Sequence, residues 1–275
     1  VKIGTFLSGG IDSNLITYFA NELLNYKIKS YTIGFENKNY DESNIAKESA
    51  SNFNITNIQH ILNFKNDRID IGKLVTFFDE PFCDLSLIPS FIICQIASRY
   101  GKVFLSGDGG DEIFCGYKRY TTFQNYNLLD IVPQFIKNVV SRLHFMKPSL
   151  SRLSLNNDER KVLHYHPLFK DLNNYRILSN EFRVNPEKVR LDNQKFYDFN
   201  FGIPIINKMQ LYDIENYLSN DILTKVDRAS MANSIEVRSP LLDYRLVEHG
   251  LKIPFYHNIK NGYGKQILRS ISKRY

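Results

Sequence analysis

KIGTFLSGGIDSNLITYFANELL, residues 2–24, sets a short strand, a glycine turn and an amphipathic helix in immediate succession. The apolar run at 2–7 has strand length, and Leu15, Ile16, Phe19 and Leu23 share one face of a helix over 14–24. Between them lie Ser8, Gly9, Gly10, Ile11, Asp12 and Ser13. A turn there aims its backbone amides and both serine hydroxyls at a helix N-terminus, where unpaired N–H groups and the helix dipole favour phosphate. Two adjacent glycines let the backbone come close to the phosphate oxygens. Asp12 adds a carboxylate beside them, and the simplest use of an acid there is to hold Mg2+. The GxxxxGK spacing with its lysine is missing, as is GxGxxG, so neither a P-loop nor a dinucleotide turn explains the stretch. The competing reading is an ordinary helix cap made by Asp12 or Ser13.

Outward from this unit the alternation repeats. Residues 28–35 read as a strand, 41–53 as a helix, 57–62 as a strand, 87–100 as a helix and 102–105 as a buried strand ending in a second glycine-rich turn. Successive βα units imply an α/β fold, a twisted parallel sheet flanked by helices on both faces. Ligands bind such sheets at the carboxyl ends of the strands, so both glycine turns are expected to face one cleft. We divide the chain into an α/β nucleotide-binding core at 1–120, a helical insertion at 121–207 and a helical segment completing the site at 208–275. Pro133, Pro148, Pro167, Pro186 and Pro204 break the insertion.

The second turn is SGDGGDE, residues 106–112. Asp108, Asp111 and Glu112 fall within five residues and repel one another unless a cation lies among them. Asp111 opposite Asp12 makes a pair for Mg2+ bridging the phosphates of a nucleotide. A surface acidic loop is the plain alternative, and the EF-hand spacing is absent.

Bulk properties narrow the setting. With 275 residues and 43% hydrophobic content the chain can bury a sizeable core. Its apolar segments fall short of the ~20 residues a membrane helix needs, and no secretory leader precedes Val1, so we expect a soluble, cytoplasmic protein without membrane contact. Cys83, Cys94 and Cys115 have no zinc-ligand spacing. His60, His144, His164, His166, His249 and His257 form no ligand spacing either. The net charge of +6 comes from scattered residues rather than a basic run, which argues against a nucleic-acid partner.

Ser-Gly-Gly-x-Asp-Ser is similar to the signature of the N-type ATP pyrophosphatases. SGDGGDE with the following Gly116 and Tyr117, and SNDILTKVDRASMANSIEVRSPLLD at 219–243, narrow the resemblance to the synthetase domain of the glutamine-dependent asparagine synthetases, with the β-lactam synthetases close by. The resemblance spans nearly the whole chain and is weakest in the insertion.

What the resemblance implies can be placed residue by residue. Leu7, Ile33, Gly34, Ser106 and Gly107 would line an adenosine pocket; Ser8, Gly9, Gly10, Asp12 and Ser13 would hold pyrophosphate; Asp12 and Asp111 would bind Mg2+. Lys265 matches an active-site lysine near the α-phosphate, although a lysine opening a helix is ordinarily solvated. Asp108 falls where the amidating enzymes place an acid near substrate. Asp227 and Arg228 are further catalytic candidates, and Asp84, Ser86, Glu112, Lys225 and Arg238 are candidates for substrate recognition. Their ordinary alternatives are the polar face of a helix, a salt bridge for Arg238, and helix capping for Asp84 and Ser86.

The implied reaction uses ATP and Mg2+ to amidate a carboxylate through an acyl-adenylate, most simply aspartate to asparagine with release of AMP and pyrophosphate. Rival readings are amidation of a sugar acid or peptide carboxylate, a β-lactam-type ring closure, and a catalytically silent nucleotide-binding module. The family draws ammonia from a glutaminase domain that opens on a cysteine, whereas the first cysteine here is Cys83. The chain therefore reads as an excised or truncated synthetase half, able to use free ammonia and compatible with a homodimer.

Overall fold

Strand β1 (Ile3–Phe6) runs along the middle of a sheet whose order is β3-β2-β1-β4-β5 and whose pairings are all parallel. A computed structural model describes residues 1–63, 67, 70–80, 82, 84–121, 133, 135, 136, 139 and 202–275 of the chain. After β1 come α1 (Ile11–Leu23), β2 (Lys29–Phe35), α2 (Ser43–Asn52), β3 (Thr56–Leu62), α3 (Ile71–Phe78), α4 (Leu87–Ala97), β4 (Val103–Leu105) and the short α5 (Gly110–Ile113). The chain then supplies α6 (Ile205–Tyr212), a π-helical stretch at Asp213–Leu223, α7 (Thr224–Met231), β5 (Glu236–Arg238), α8 (Tyr244–Lys252), α9 (Phe255–Asn258) and α10 (Gln266–Ser272). Most of the insertion expected at 121–207 lies outside the described residues.

The period-two alternation of β2 explains why helices cover both faces of the sheet. Tyr31 and Ile33 join Phe6, Ile58, Phe104 and Val237 on one face, packed against Ile93, Cys94 and Ala97 of α4 and Ala229 of α7. Ser30 and Thr32 point the other way, where Asn57 Nδ2 donates to both hydroxyls at 2.9 Å. On β1, Thr5 accepts from Thr17 of α1 at 3.1 Å, with both residues fully buried. A polar pair between strand and helix costs little there because each hydroxyl is satisfied.

Three elements differ from the expectation. Helix α1 begins at Ile11, not at 14, so Asp12 and Ser13 belong to its first turn. The segment after 213 is not wholly helical: β5 pairs with β4, matching Val103 with Glu236 and Leu105 with Arg238. Three residues are too few to display alternation, so β5 left no pattern in the sequence. Helix α3 was not anticipated, because Val75, Thr76, Phe77 and Phe78 are strand formers by composition. No helix among the described residues is long and apolar enough to cross a membrane.

Candidate active site

The strand order reverses direction between β1 and β4, and both glycine turns leave the sheet at that point. They meet, as a ligand cleft at a switch point requires. A Cβ on Gly110 would lie 2.5 Å from Asp12 Cγ, so only glycine lets the second turn close on the first. The cleft between them has a volume of 490 Å3.

The first turn is held by its own serines. Ser8 and Ser13 hydroxyls lie 2.9 Å apart, Ser13 Oγ donates to the Gly10 carbonyl at 3.0 Å and accepts from the Ser8 amide at 3.1 Å, and Ser8 Oγ accepts from the Gly10 amide at 3.0 Å. No side chain caps α1, whose N-cap is Gly10. The simple capping reading therefore fails. The serines shape the turn while the helix N-terminus is left without a side-chain partner, which is the arrangement an incoming anion needs. One carboxylate already tests this polarity: Glu42 Oε2 accepts from the Gly9 amide at 3.0 Å.

Lys265 stands between the two turns. Its Nζ bonds Asp12 and lies 2.8 Å from Asp111 Oδ1. It precedes α10 in a left-handed conformation at φ 57°, and its amide donates to the Phe114 carbonyl at 3.0 Å, so the chain brings it inward rather than into solvent. A Cβ on Gly116 would overlap Asp111 Oδ1 and Lys265 Cε, so this position keeps the space the ion pair occupies. Burial opposes the lysine charge, but Asp12 and Asp111 outweigh it and hold Lys265 above its ordinary pKa. Burial pushes the Asp12 carboxyl up, with Lys265 pulling only part of the way back. Asp12 Oδ1 is buried with no hydrogen-bond partner. Such an oxygen is left for something else to bind.

The second turn adds two buried acids. Ser106 Oγ donates to Asp108 Oδ2 at 2.7 Å and lies 2.9 Å from Ser239 Oγ, on the loop that follows β5. Burial raises the Asp108 carboxyl despite these bonds. Glu112 is 1% exposed and accepts from the Tyr117 hydroxyl at 2.5 Å; burial lifts it from 4.5 to about 7. Its folded pKa exceeds its unfolded one, so the stability it contributes is complete below 4.5 and is lost as pH rises toward about 7. We expect thermal unfolding midpoints to fall between pH 5 and pH 8 and Glu112→Gln to flatten that slope, by roughly 3 kcal/mol across the window. An unchanged slope in the variant would assign the pH dependence elsewhere.

The substrate candidates divide. Asp84 and Ser86, before α4, meet Lys225 of α7: Lys225 Nζ is 2.5 Å from Asp84 Oδ2 and 2.6 Å from Ser86 Oγ. Ser86 donates to Asp84 Oδ1 through its amide at 2.7 Å and its hydroxyl at 2.8 Å, and does not cap α4. Burial works against the Asp84 carboxylate, yet Lys225 and Ser86 hold it below its ordinary pKa. Lys225 also acts on Asp108, which joins this cluster electrostatically to the cleft.

Asp227, Arg228 and Arg238 do not come into the cleft. Arg228 and Asp79 pair at 2.6 Å and Arg238 and Glu236 at 2.6 Å, all four exposed, and Asp227 is exposed as well. The reason is helical phase: Lys225 is inward and Ile222 and Val226 line the cleft, whereas Asp227, two positions on from Lys225, lies on the opposite side of α7, and Arg228 falls on the flank where it meets Asp79. The face carrying Ile222 and Val226 is the one that meets the cleft. Arg238 touches the site only through its carbonyl, which accepts from the Ser106 amide at 2.9 Å. Leu7, Ile33, Ser106 and Gly107 line the cleft, but Gly34 does not: a Cβ there would meet Ile61, Asp41 and Ser43 at 2.6 to 2.9 Å, so it serves packing. Sequence reasoning missed Tyr31, Glu42, Cys94 and Tyr117, which also line it. Tyr31 alone had a signal, being two residues before Ile33 on the same face of β2.

An all-parallel sheet with helices on both faces and two glycine turns meeting at its switch point defines a domain of the parallel α/β class. Within that class the chain belongs to the Asparagine synthase family, a family of carbon–nitrogen ligases, whose profile matches residues 1–275. It is similar to asparagine synthetase [glutamine-hydrolyzing] 1 of Bacillus subtilis (strain 168), 31% identical over 280 residues covering 99% of this chain and 44% of that protein. Asparagine synthetase [glutamine-hydrolyzing] 3 of the same organism is 25% identical over 285 residues, covering 98% of this chain and 42% of that one. The chain thus spans less than half the length of these curated relatives. Among solved structures, an NH3-dependent NAD synthetase from Campylobacter jejuni in complex with the nitrate ion aligns at 11% identity and a TM-score of 0.30, covering 74% of this chain and 88% of that one.

Proposed function

We propose that this domain activates a carboxylate with ATP and passes it to ammonia, converting aspartate to asparagine. The observation that carries this reading is Lys265 held between Asp12 of the first turn and Asp111 of the second, at the mouth of an uncapped helix. A substrate carboxylate oxygen attacks the α-phosphorus, the bond from that phosphorus to the bridging oxygen of the β-phosphate breaks, and pyrophosphate leaves with the bond electrons. Ammonia then attacks the acyl carbon, the acyl–phosphate bond breaks, AMP departs and the surplus proton passes to solvent or a nearby carboxylate.

The protein's part is positioning and charge. The Ser8–Ser13 turn holds the β- and γ-phosphates on its amides, Lys265 offsets charge that grows on the phosphates as the bond breaks, and Leu7 and Ile33 pack the base. Asp84, Ser86 and Lys225 offer the mixed acid, hydroxyl and ammonium that an amino acid's charged backbone groups would engage. Asp108 and Glu112, which line the same cleft, would be the proton acceptors for incoming ammonia.

Magnesium fits the residues present. Among the described residues no three His, Cys, Asp or Glu side chains form a metal cluster. Mg2+ needs none, since it binds through one or two carboxylates plus substrate phosphates and water. Asp12, with its unpartnered Oδ1, and Asp111 would hold the ion, and its chemistry there is to neutralise the phosphates. Ammonia would come from the glutamine-hydrolysing portion that the relatives' names describe, or free from solution.

Incubation with ATP, aspartate and ammonium is expected to give AMP, pyrophosphate and asparagine in equal amounts. ADP formation would overturn the reading. Pyrophosphate release with another carboxylate from a panel, and not with aspartate, would keep the chemistry and replace the substrate.

A further inference from the structure

The hollows on the two sides of the first glycine turn differ in charge. The cleft described above is walled by Asp12, Glu42, Asp108, Asp111 and Glu112, with Lys265 its one cation among the described residues. A second cleft, of 590 Å3, opens on the far side of the turn and shares Gly10 and Lys265 with the first. Its described lining contains no acid; its cations are Lys265 and Arg269. Arg269 in turn borders a third hollow of 490 Å3, where Lys260 and Lys273 join it, again without a described acid.

Lys265, Arg269 and Lys273 recur every four residues along α10 and its flanks, which stacks them on one side of the helix. Arg269 is anchored at one point, Nε donating to the Gly264 carbonyl at 3.0 Å. Gly9, whose amide donates to Glu42 Oε2, lies on the rim of the second cleft. A polyanion resting on that turn therefore sits at the boundary between an acidic hollow and a basic one.

We propose that pyrophosphate leaves over Gly10 and Lys265 into the second cleft and out along Arg269 and Lys273, not back through the acidic mouth. The proposal rests on the adenylation reading and adds the product's route. Bond cleavage turns the β- and γ-phosphates into a free anion of high charge, which finds fewer acids and the spaced cations Arg269 and Lys273 on the side of the second cleft. Separate exits let pyrophosphate depart while the acyl-adenylate stays in the first cleft to meet ammonia.

The test measures pyrophosphate at this groove with and without turnover. In wild-type protein, inorganic pyrophosphate should inhibit amide formation, and the R269Q/K273Q variant should raise its inhibition constant about tenfold while the KM for ATP stays within about twofold. K260Q/K273Q, which leaves the Arg269 anchor in place, should raise it by a smaller factor, so a folding defect in the first variant does not decide the matter. Calorimetric titration of pyrophosphate alone should show the same order of affinities and weaken with added salt. An unchanged inhibition constant and unchanged titration would overturn the route, and so would a KM for ATP that rises in step with it. If the wild type makes ADP, the adenylation reading fails, and the titration still reports whether the groove binds pyrophosphate.

Discussion

Lys265→Gln is expected to lower kcat for the proposed aspartate-dependent pyrophosphate release by roughly a thousand-fold and to destabilise the fold by about 3 kcal/mol. Both effects come from one geometry. The ammonium lies between Asp12 and Asp111, so removing it takes away the charge that would meet the phosphates and leaves a buried carboxylate without its counter-ion. Asp12 is 8% exposed and already raised by burial, and without Lys265 it rises further. A group whose folded pKa exceeds its unfolded one contributes stability that is lost as pH rises through the folded value. The variant's melting midpoint should therefore fall most at high pH and least at pH 4. Measuring kcat by pyrophosphate release and unfolding by calorimetry at several pH values checks both halves. A variant with normal turnover would mean that Lys265 is only a structural counter-ion.

Asp12→Asn is expected to lower kcat by a similar factor, roughly a thousand-fold, without a matching loss of stability. Burial is the largest influence on Asp12 and outweighs the lysine, so at neutral pH its charge costs the folded state more than the pairing returns. Asparagine removes that cost and leaves Lys265 paired with Asp111 at 2.8 Å. The midpoint should hold or rise at pH 7, and the concentration of Mg2+ needed for half-maximal rate should increase. An acid kept at a position where it weakens the fold is serving a ligand. If Asp12→Asn loses as much stability as Lys265→Gln, the pair is structural.

These two residues also mark how far the sequence could be read. Asp12 was legible because the strand, the glycines and the helix around it are consecutive. Local order alone aims that carboxylate at the helix N-terminus. Lys265 was not, since Gly264, Lys265 and the helix that follows resemble any solvated helix start, and only the left-handed backbone and the bond from its amide to Phe114 turn it inward. The resemblance supplied that residue; its spacing did not. Asp227 and Arg228 are the opposite case: the resemblance suggested them, and the structure leaves them exposed outside the cleft. They lie in the same stretch as Lys225, but a helix presents each residue 100° on from the last, and the phase was not fixed until α7 packed on α4 with Ala229 inward. Ser239 and the carbonyl of Arg238 reach Ser106 through β5, a strand too short to leave any pattern. The parallel sheet, by contrast, followed from repeated βα units, which set both turns at the carboxyl ends of its strands; the strand order came from the structure alone.

The acyl-adenylate can be tested by following one oxygen atom. Aspartate labelled with 18O in its side-chain carboxylate should, in the presence of ATP and ammonium, transfer one labelled oxygen to the phosphate of AMP, with none in pyrophosphate. Label appearing in inorganic phosphate beside ADP, or AMP formed without label, would contradict carboxylate attack on the α-phosphorus.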